Sequence, residues 1–293
     1  MKKFWFFSIF GPNPIFLLRG GIGNQLFIYS AAVYLGEKHS FTPVFQSLGI
    51  DHGESISEMG LPGRFMGKFQ SKLYRLDKKL NYKISKRALQ AISSSSSVTH
   101  SPIEINGKSY VSGFFQTAYY ASHLKANGYF DELIRKEPNS ALIQKCLEIT
   151  NSNATIMHLR FGDYLGAAAS LGNLAPNYYE SIFASHKEVS GNPIFVMSDD
   201  FHLAREYIKE LPDLDFRMLD KYDGLRSTDL MKLFGSADRV ICANSTYSWW
   251  GAFLSSRAQK IWVPSPWFRE TDLAIATSKI YPINFRQVAS IWK

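Results

Sequence analysis

The chain has 293 residues, 45% of them hydrophobic and 20% charged, a globular composition with material for one large or two ordinary α/β domains. Its net charge of +8 favours anionic partners such as nucleotide phosphates or anionic lipid, but no basic block reads as a nucleic-acid stripe. Two distant cysteines, Cys146 and Cys242, give neither a disulfide framework nor a thiolate metal site and fit a reducing compartment.

Two lysines open the chain, followed by a nearly apolar run over residues 4–10 that Gly11 and Pro12 end at once. The run is too short for a signal peptide and far short of the ~20 apolar residues of a membrane span. It reads either as an extra strand or leader, or as a shallow membrane contact through Trp5 and the phenylalanines. Residues 15–18 form a short buried strand, and 26–35 an apolar helix. Between them lies Arg19-Gly20-Gly21-Ile22-Gly23-Asn24-Gln25. This turn begins like a dinucleotide fingerprint but has Leu26 at the third glycine, which weakens an oxidoreductase reading. Gly20, Gly21 and Gly23 permit close backbone approach, the helix start can receive an anion or a sugar, and Asn24 and Gln25 add amides. A tight turn with no ligand is the alternative.

Residues 64–92 read as helical and basic. The densest run, 68–87, carries Lys72, Arg75, Lys78, Lys79, Lys83 and Lys86, either as a solvated face or as a patch for lipid or acceptor phosphate. Ser93 to Ser97 is an expected exposed loop, 108–115 a strand, and 118–126 and 140–150 are helical. In the second half a β–α rhythm sets in. Strands are expected at 154–160, 193–198, 215–219, 239–243 and 260–263, with helices at 177–189, 201–210, 226–235 and 247–256. That alternation predicts a parallel sheet covered on both faces, and two domains, 1–150 and 151–293.

Ligands bind outside the carboxyl ends of strands in such sheets. Three clusters lie there. His158, Arg160 and Asp163 follow the strand at 154–159. Arg160 suits a pyrophosphate, Asp163 suits a general base with His158 second, and a structural Arg–Asp pair is the alternative. Ser198, Asp199 and Asp200 lack the spacing of an Asp-x-Asp metal motif, and the two aspartates read as ribose or base contacts, or as a helix N-cap. Asn244, Ser245, Thr246, Tyr247 and Ser248 precede Trp249-Trp250 and an apolar helix, a place for an anion; the tryptophans read as packing residues.

Taken together, GGIGNQLF (20–27), HLRFGDYL (158–165) and ANSTYSWWGAFL (243–254), with NYYESIF (177–183) and MSDD (197–200), resemble the α-1,2-fucosyltransferases of glycosyltransferase family 11. The resemblance implies a GT-B-like architecture, two Rossmann-like domains facing across a cleft. It implies GDP-β-L-fucose as donor, inversion at the fucose anomeric carbon, and attack by the 2-hydroxyl of a terminal galactose on an oligosaccharide or lipid-linked glycan. No metal and no cofactor are expected. Relatives of this length are typically bacterial cytoplasmic enzymes of O-antigen or capsule synthesis, here with peripheral inner-membrane contact through 68–87 as a further expectation. On this pattern Arg160 holds the diphosphate, assisted by Ser198, Asp199, Asp200, Asn244, Ser245, Thr246 and Ser248, while Gly21, Gly23 and Asn24 close the cleft from the N-terminal side. The stretch 44–127 is expected to shape the acceptor pocket. One departure stands out: the family pattern His-x-Arg-Arg-x-Asp has Phe161 at its second arginine, so donor binding is expected to be weaker or to rest on another residue. A transferase for another GDP-deoxysugar and a non-catalytic nucleotide-sugar or glycan binder are the competing readings.

Overall fold

Short apolar runs set the sheets. Ile15–Leu17 (β1) is buried along its whole length, as a central strand of a parallel sheet must be, because helices cover both faces. The structure, a computed structural model, describes residues 11–47, 54–83, 85–92, 103–105, 108–167, 169–222 and 225–293, without the side chains of Asp163, Leu165 and Lys221. The expected features at 4–10 and 93–97 therefore lie outside the described residues. The chain divides into two compact units, 1–133 and 134–293.

In the first unit β1 is joined by Val44–Gln46 (β2), Arg64–Phe65 (β3), Ala88–Ala91 (β4) and Ser109–Ser112 (β5), all parallel, in the order β3-β2-β1-β5-β4. The helix Ile22–His39 follows β1 and is apolar on nearly every side, which suits burial rather than a surface position. The basic stretch 64–92 is not one helix. It resolves into β3, the helix Lys68–Lys79 and β4. The helix stops because Asn81 and Tyr82 take left-handed backbone conformations at φ 51° and 59°. Asp77, fully buried, holds the exit: its Oδ1 accepts from the Ser85 N–H and its Oδ2 from the Tyr110 hydroxyl at 2.9 Å. The Arg87 guanidinium, also buried, donates to the carbonyls of Gly11, Asn13 and Ser109 and so ties β4 to its neighbour.

The second unit contains Thr155–Leu159 (β6), Ile194–Ser198 (β7), Phe216–Met218 (β8), Arg239–Ile241 (β9), Lys260–Ser265 (β10) and Phe285–Ala289 (β11). They are parallel, in the order β8-β7-β6-β9-β10-β11. The chain starts in the middle at β6, winds outward to β8, then returns beside β6 at β9 and winds outward the other way. This is the doubly wound Rossmann order, and its topological switch point lies between β6 and β9. The five strands expected from the sequence are present. The edge strand β11 escapes the periodicity because only Phe285 of its five residues is buried. The helical patterns map onto Pro176–Ser185 with Lys187–Ser190, Phe201–Ile208, Ser227–Leu230 followed by a 3-10 turn at Met231–Ser236, and Thr246–Leu254.

The unit boundary falls before residue 150 because the helix Ile143–Asn151 belongs to the second unit. Its Ile149 is fully buried, and the Thr150 hydroxyl donates to the Ser236 carbonyl at 3.0 Å. Trp249 and Trp250 are packing residues, as expected: both are fully buried, edge to face at 5.0 Å, and Trp249 stacks on Phe253 and donates from Nε1 to the Ile280 carbonyl. No helix of the described residues is long and apolar enough to cross a membrane.

Candidate functional site

Strand register builds the centre of the site. Leu159 of β6 pairs with Ser198 of β7, so Arg160 and Asp199 leave the sheet side by side. Arg160 Nη1 lies 3.0 Å from Asp199 Oδ2, with about four-fifths of each side chain buried. Asp199 Oδ1 accepts the Phe161 N–H at 2.9 Å. The carboxylate sits so close to Gly162 that a Cβ there would fall 2.3 Å from Oδ2, so a larger residue would displace the carboxylate from its present place. The guanidinium also lies over the Tyr164 ring, 5.4 Å from its centroid, and the Tyr164 hydroxyl donates to the Asn244 carbonyl at 2.7 Å. Carboxylate and ring together fix the plane of a cation at the mouth of the switch point. A preoriented guanidinium stabilises developing anionic charge without reorganising at the moment of reaction.

The β9 side is folded by its own polar residues. Asn244 is buried and its amide nitrogen donates to the carbonyls of Leu171 and Gly172, both at 3.0 Å. Ser245 caps the helix Thr246–Leu254, accepting the Tyr247 N–H on its hydroxyl, and the fully buried Ser248 hydroxyl donates back to the Ser245 carbonyl. The expectation that these side chains point at a ligand is therefore corrected for Asn244 and Ser248, which face inward and build the turn. Thr246, half-buried, stands at the first helical position. What the turn offers a ligand is main-chain N–H groups and the positive end of the helix dipole. Beneath it, the helix Pro176–Ser185 clamps both strands: Tyr178 donates to the Cys242 carbonyl and Tyr179 to the His158 carbonyl, each at 3.0 Å.

His158 is 2% exposed, flanked by Tyr247 and Phe234 with ring centroids 5.8 and 6.4 Å away. Burial first, and the charge of Arg160 second, push the imidazole down to about 3, so the ring is neutral near pH 7. Its Nδ1 has no hydrogen-bond partner among the described residues. Asp163 lies in the helix Gly162–Gly166, and its side chain is outside the described residues. Of the two readings for the aspartates, Asp200 takes the N-cap, accepting the Leu203 N–H at 2.9 Å, and Asp199 takes Arg160. The Ser198 hydroxyl bridges the N–H and the carbonyl of Asp200. Phe161 stands where the resemblance expects a second arginine, but it is buried in the core, edge-on to Tyr207 at 5.6 Å. Its side chain packs in the core and takes no part in the cluster around Arg160.

In the first unit the glycine turn closes β1. Gly20 adopts φ +66°, and Gly21 is the extended N-cap of the helix Ile22–His39, with Gly23 buried in its first turn. Gln25, fully buried, fixes the turn: Nε2 donates to the carbonyls of Gly20 and Glu54, and Oε1 accepts the Ile56 N–H. Asn24 Oδ1 accepts from Gln116 at 2.8 Å, and Arg19 reaches Ser112 and the Phe114 ring, so the ends of β1 and β5 are joined. Sequence reasoning gave no roles to Gly162, Tyr164, Tyr178 or Tyr179. Tyr164 carried a readable signal, an aromatic four residues after Arg160 at a helix start. Among the described residues no group of three or more His, Cys, Asp or Glu side chains could hold a metal ion.

Comparison with known proteins agrees with the motifs. Two curated relatives from Escherichia coli match. One is described as the O-antigen biosynthesis glycosyltransferase WbnK, 35% identical over 135 residues, 44% of each chain. The other is described as an alpha-1,2-colitosyltransferase, 32% identical over 131 residues, 42% of this chain and 43% of that one. The chain thus spans less than half the length of the curated relatives it matches. Solved structures with similarity include the NodZ alpha-1,6-fucosyltransferase co-crystallised with GDP, 14% identical at a TM-score of 0.44, covering 85% of this chain and 94% of that one. Another is the glycosyl transferase family 9 protein of Veillonella parvula, 10% identical at a TM-score of 0.42, covering 96% and 88%. The sequence model described as Glycosyl transferase family 11 matches residues 65–283, about three-quarters of the chain, and the chain belongs to that family.

Proposed function

We propose that this glycosyltransferase moves L-fucose from GDP-β-L-fucose to the 2-hydroxyl of a terminal galactose, with inversion and without a metal, in bacterial surface-glycan synthesis. The observation that carries the reading is Arg160, locked by Asp199 and Tyr164 at the carboxyl end of β6, beside the helix that starts after β9. That arrangement suits a diphosphate leaving group: the guanidinium binds its oxygens through oriented N–H groups and neutralises charge as the glycosidic bond breaks. Bond cleavage develops an oxocarbenium-like sugar, which the acceptor hydroxyl attacks in line from the opposite face. Asp163 is the proposed base. His158 is a poor proton acceptor near pH 7 because its ring is buried and weakly basic. Gly21, Gly23 and Asn24 stay assigned to the donor on the resemblance alone.

The test is GDP release from GDP-fucose in EDTA, with and without lactose, for wild type and Arg160→Ala. Lactose-dependent release that survives EDTA and is lost in the variant supports the reading; binding of GDP-fucose with no release on any galactoside supports a non-catalytic binder. A second donor is favoured by the relative described as a colitosyltransferase. Colitose lacks the 3-hydroxyl of fucose. A site that hydrogen-bonds this hydroxyl rejects the deoxy sugar by a factor on the order of 10⁴, whereas an apolar pocket rejects the hydroxyl by only about 10². A competition between the two GDP-sugars therefore identifies the natural donor by the size of the preference as well as its direction.

A further inference from the structure

The helix Lys68–Lys79 is turned the wrong way round for a protein in water. It buries Ser71, Tyr74 and Asp77, and leaves Phe69, Leu76 and, just past its end, Leu80 exposed at 61%, 46% and 45%. Two stripes run along its outer side at helical spacing. One is apolar: Phe69, Leu76 and Leu80 stand exposed, while Leu73 between them is half-buried and leans on the core. The other, one residue earlier at each step, is basic: Lys68, Lys72, Arg75 and Lys79, all exposed. Exposed Lys78, Lys83 and Lys86 extend the charge. The one acidic residue of the helix, Asp77, is fully buried and held by Tyr110 and Ser85, so it does not offset the outer charge at the surface.

We infer that this outer face docks on an anionic lipid surface. A ridge of Phe and Leu beside a ridge of Lys and Arg is the pattern of a helix lying in the interfacial plane: the apolar side chains enter the boundary of the acyl chains while the cations stay among the headgroups. The lysine stems let the two ridges serve together, their methylenes flanking the apolar side chains and their ammonium groups reaching outward. Charge complementarity selects the occupant. An apolar protein partner has no use for seven exposed cations on and just beyond the helix, whereas a leaflet of anionic headgroups attracts each of them. The surface depends on neither the donor nor the acceptor and stands or falls separately from the transferase reading.

The test is co-sedimentation of the full chain with vesicles of phosphatidylethanolamine containing about one-third phosphatidylglycerol, against vesicles of phosphatidylcholine alone. Wild type is expected to bind the anionic vesicles, to prefer them at least about tenfold, and to be released by high salt. Lys72→Glu with Lys79→Glu, and separately Phe69→Ser with Leu76→Ser, each weaken binding by about tenfold or more, while Lys72→Arg with Lys79→Arg retains it. Equal binding to both vesicle types, no binding to either, or wild-type binding by the charge-reversed protein overturns the inference. So does a dimer, seen by sedimentation velocity, that Phe69→Ser with Leu76→Ser dissolves, because the face then belongs to a second copy. Should a variant fail to fold, the lipid and salt dependence of the wild type still decides.

Discussion

Replacing Gly162 by alanine puts a methyl group where Asp199 holds its carboxylate. The added Cβ would lie 2.3 Å from Oδ2 and 3.4 Å from Cγ, so the carboxylate has to turn away. In turning it loses the 3.0 Å contact to Arg160 and the 2.9 Å bond from the Phe161 N–H. A hydrogen bond to a charged group contributes about 1.5–3 kcal/mol, and the pair is buried enough to exceed the small values of surface ion pairs. Against this, alanine is better than glycine in a helix by roughly 0.5–1 kcal/mol. With partial recovery of the displaced carboxylate by water, the net cost is about 1–3 kcal/mol. Asp199→Ala alone costs about 3 kcal/mol, because it leaves a largely buried guanidinium without its carboxylate. The two changes act through one carboxylate, so their effects do not add. In the Asp199→Ala background the clash is gone, and Gly162→Ala becomes neutral or stabilising by up to about 1 kcal/mol. Urea unfolding of the four proteins reads the cycle, and GDP calorimetry follows Arg160. Equal cost of Gly162→Ala in both backgrounds would show that the glycine does not accommodate the carboxylate.

Arg160→Lys keeps the charge but loses the planar fork, so GDP affinity is expected to fall about tenfold, against about a hundredfold for Arg160→Ala; a lysine variant equal to wild type in calorimetry would sink the argument from geometry. His158 charges in the unfolded chain below its ordinary 6.5 but stays neutral in the fold down to about 3, so its contribution is complete above 6.5 and is lost as pH falls toward 3. Between pH 7 and pH 5 the wild type should lose about 2 kcal/mol more stability than His158→Asn, and parallel pH profiles of the two would contradict this. Phe161→Arg, which restores the family's second arginine, is expected to cost about 2–4 kcal/mol by burying a charge beside Tyr207 and not to tighten GDP; tighter GDP at unchanged stability would mean that the side chain can swing out to the phosphates.

Periodicity revealed the second sheet because β6, β7 and β9 are buried on both faces and read as continuous apolar runs. It did not reveal β3 or β4, whose residues are largely exposed and lie within a basic stretch that looks helical throughout. Strand pairing is a tertiary property that local composition does not carry. The same limit divides the site. The position of Arg160 at a strand end was legible, but its partner Asp199 is 39 residues away, and the register Leu159 to Ser198 is what joins them. Asn244 and Ser248 looked like ligand donors because residue type says nothing of direction. Only the carbonyls of Leu171, Gly172 and Ser245 show that these groups are engaged inward.

The chain thus presents two surfaces suited to anions, built on opposite principles, and salt separates them. At the switch point the charge of Arg160 is matched by Asp199, His158 is neutral, and the helix Thr246–Leu254 adds about half a positive charge at its start. With these charges largely compensated, the attraction for the proposed diphosphate would come from oriented N–H groups at contact distance, partly shielded from counterions. The face of the helix Lys68–Lys79 has exposed cations, and its one carboxylate is turned inward, so its pull extends outward and is screened over about a Debye length of ~10 Å at 0.1 M salt. Raising salt from about 0.05 to 0.3 M should therefore weaken GDP binding by no more than about threefold while lowering the affinity for anionic vesicles by more than about tenfold. A steep salt dependence of GDP binding would contradict the compensated geometry around Arg160, and a flat one for the vesicles would overturn docking on anionic lipid, because Phe69 and Leu76 alone would then carry the affinity.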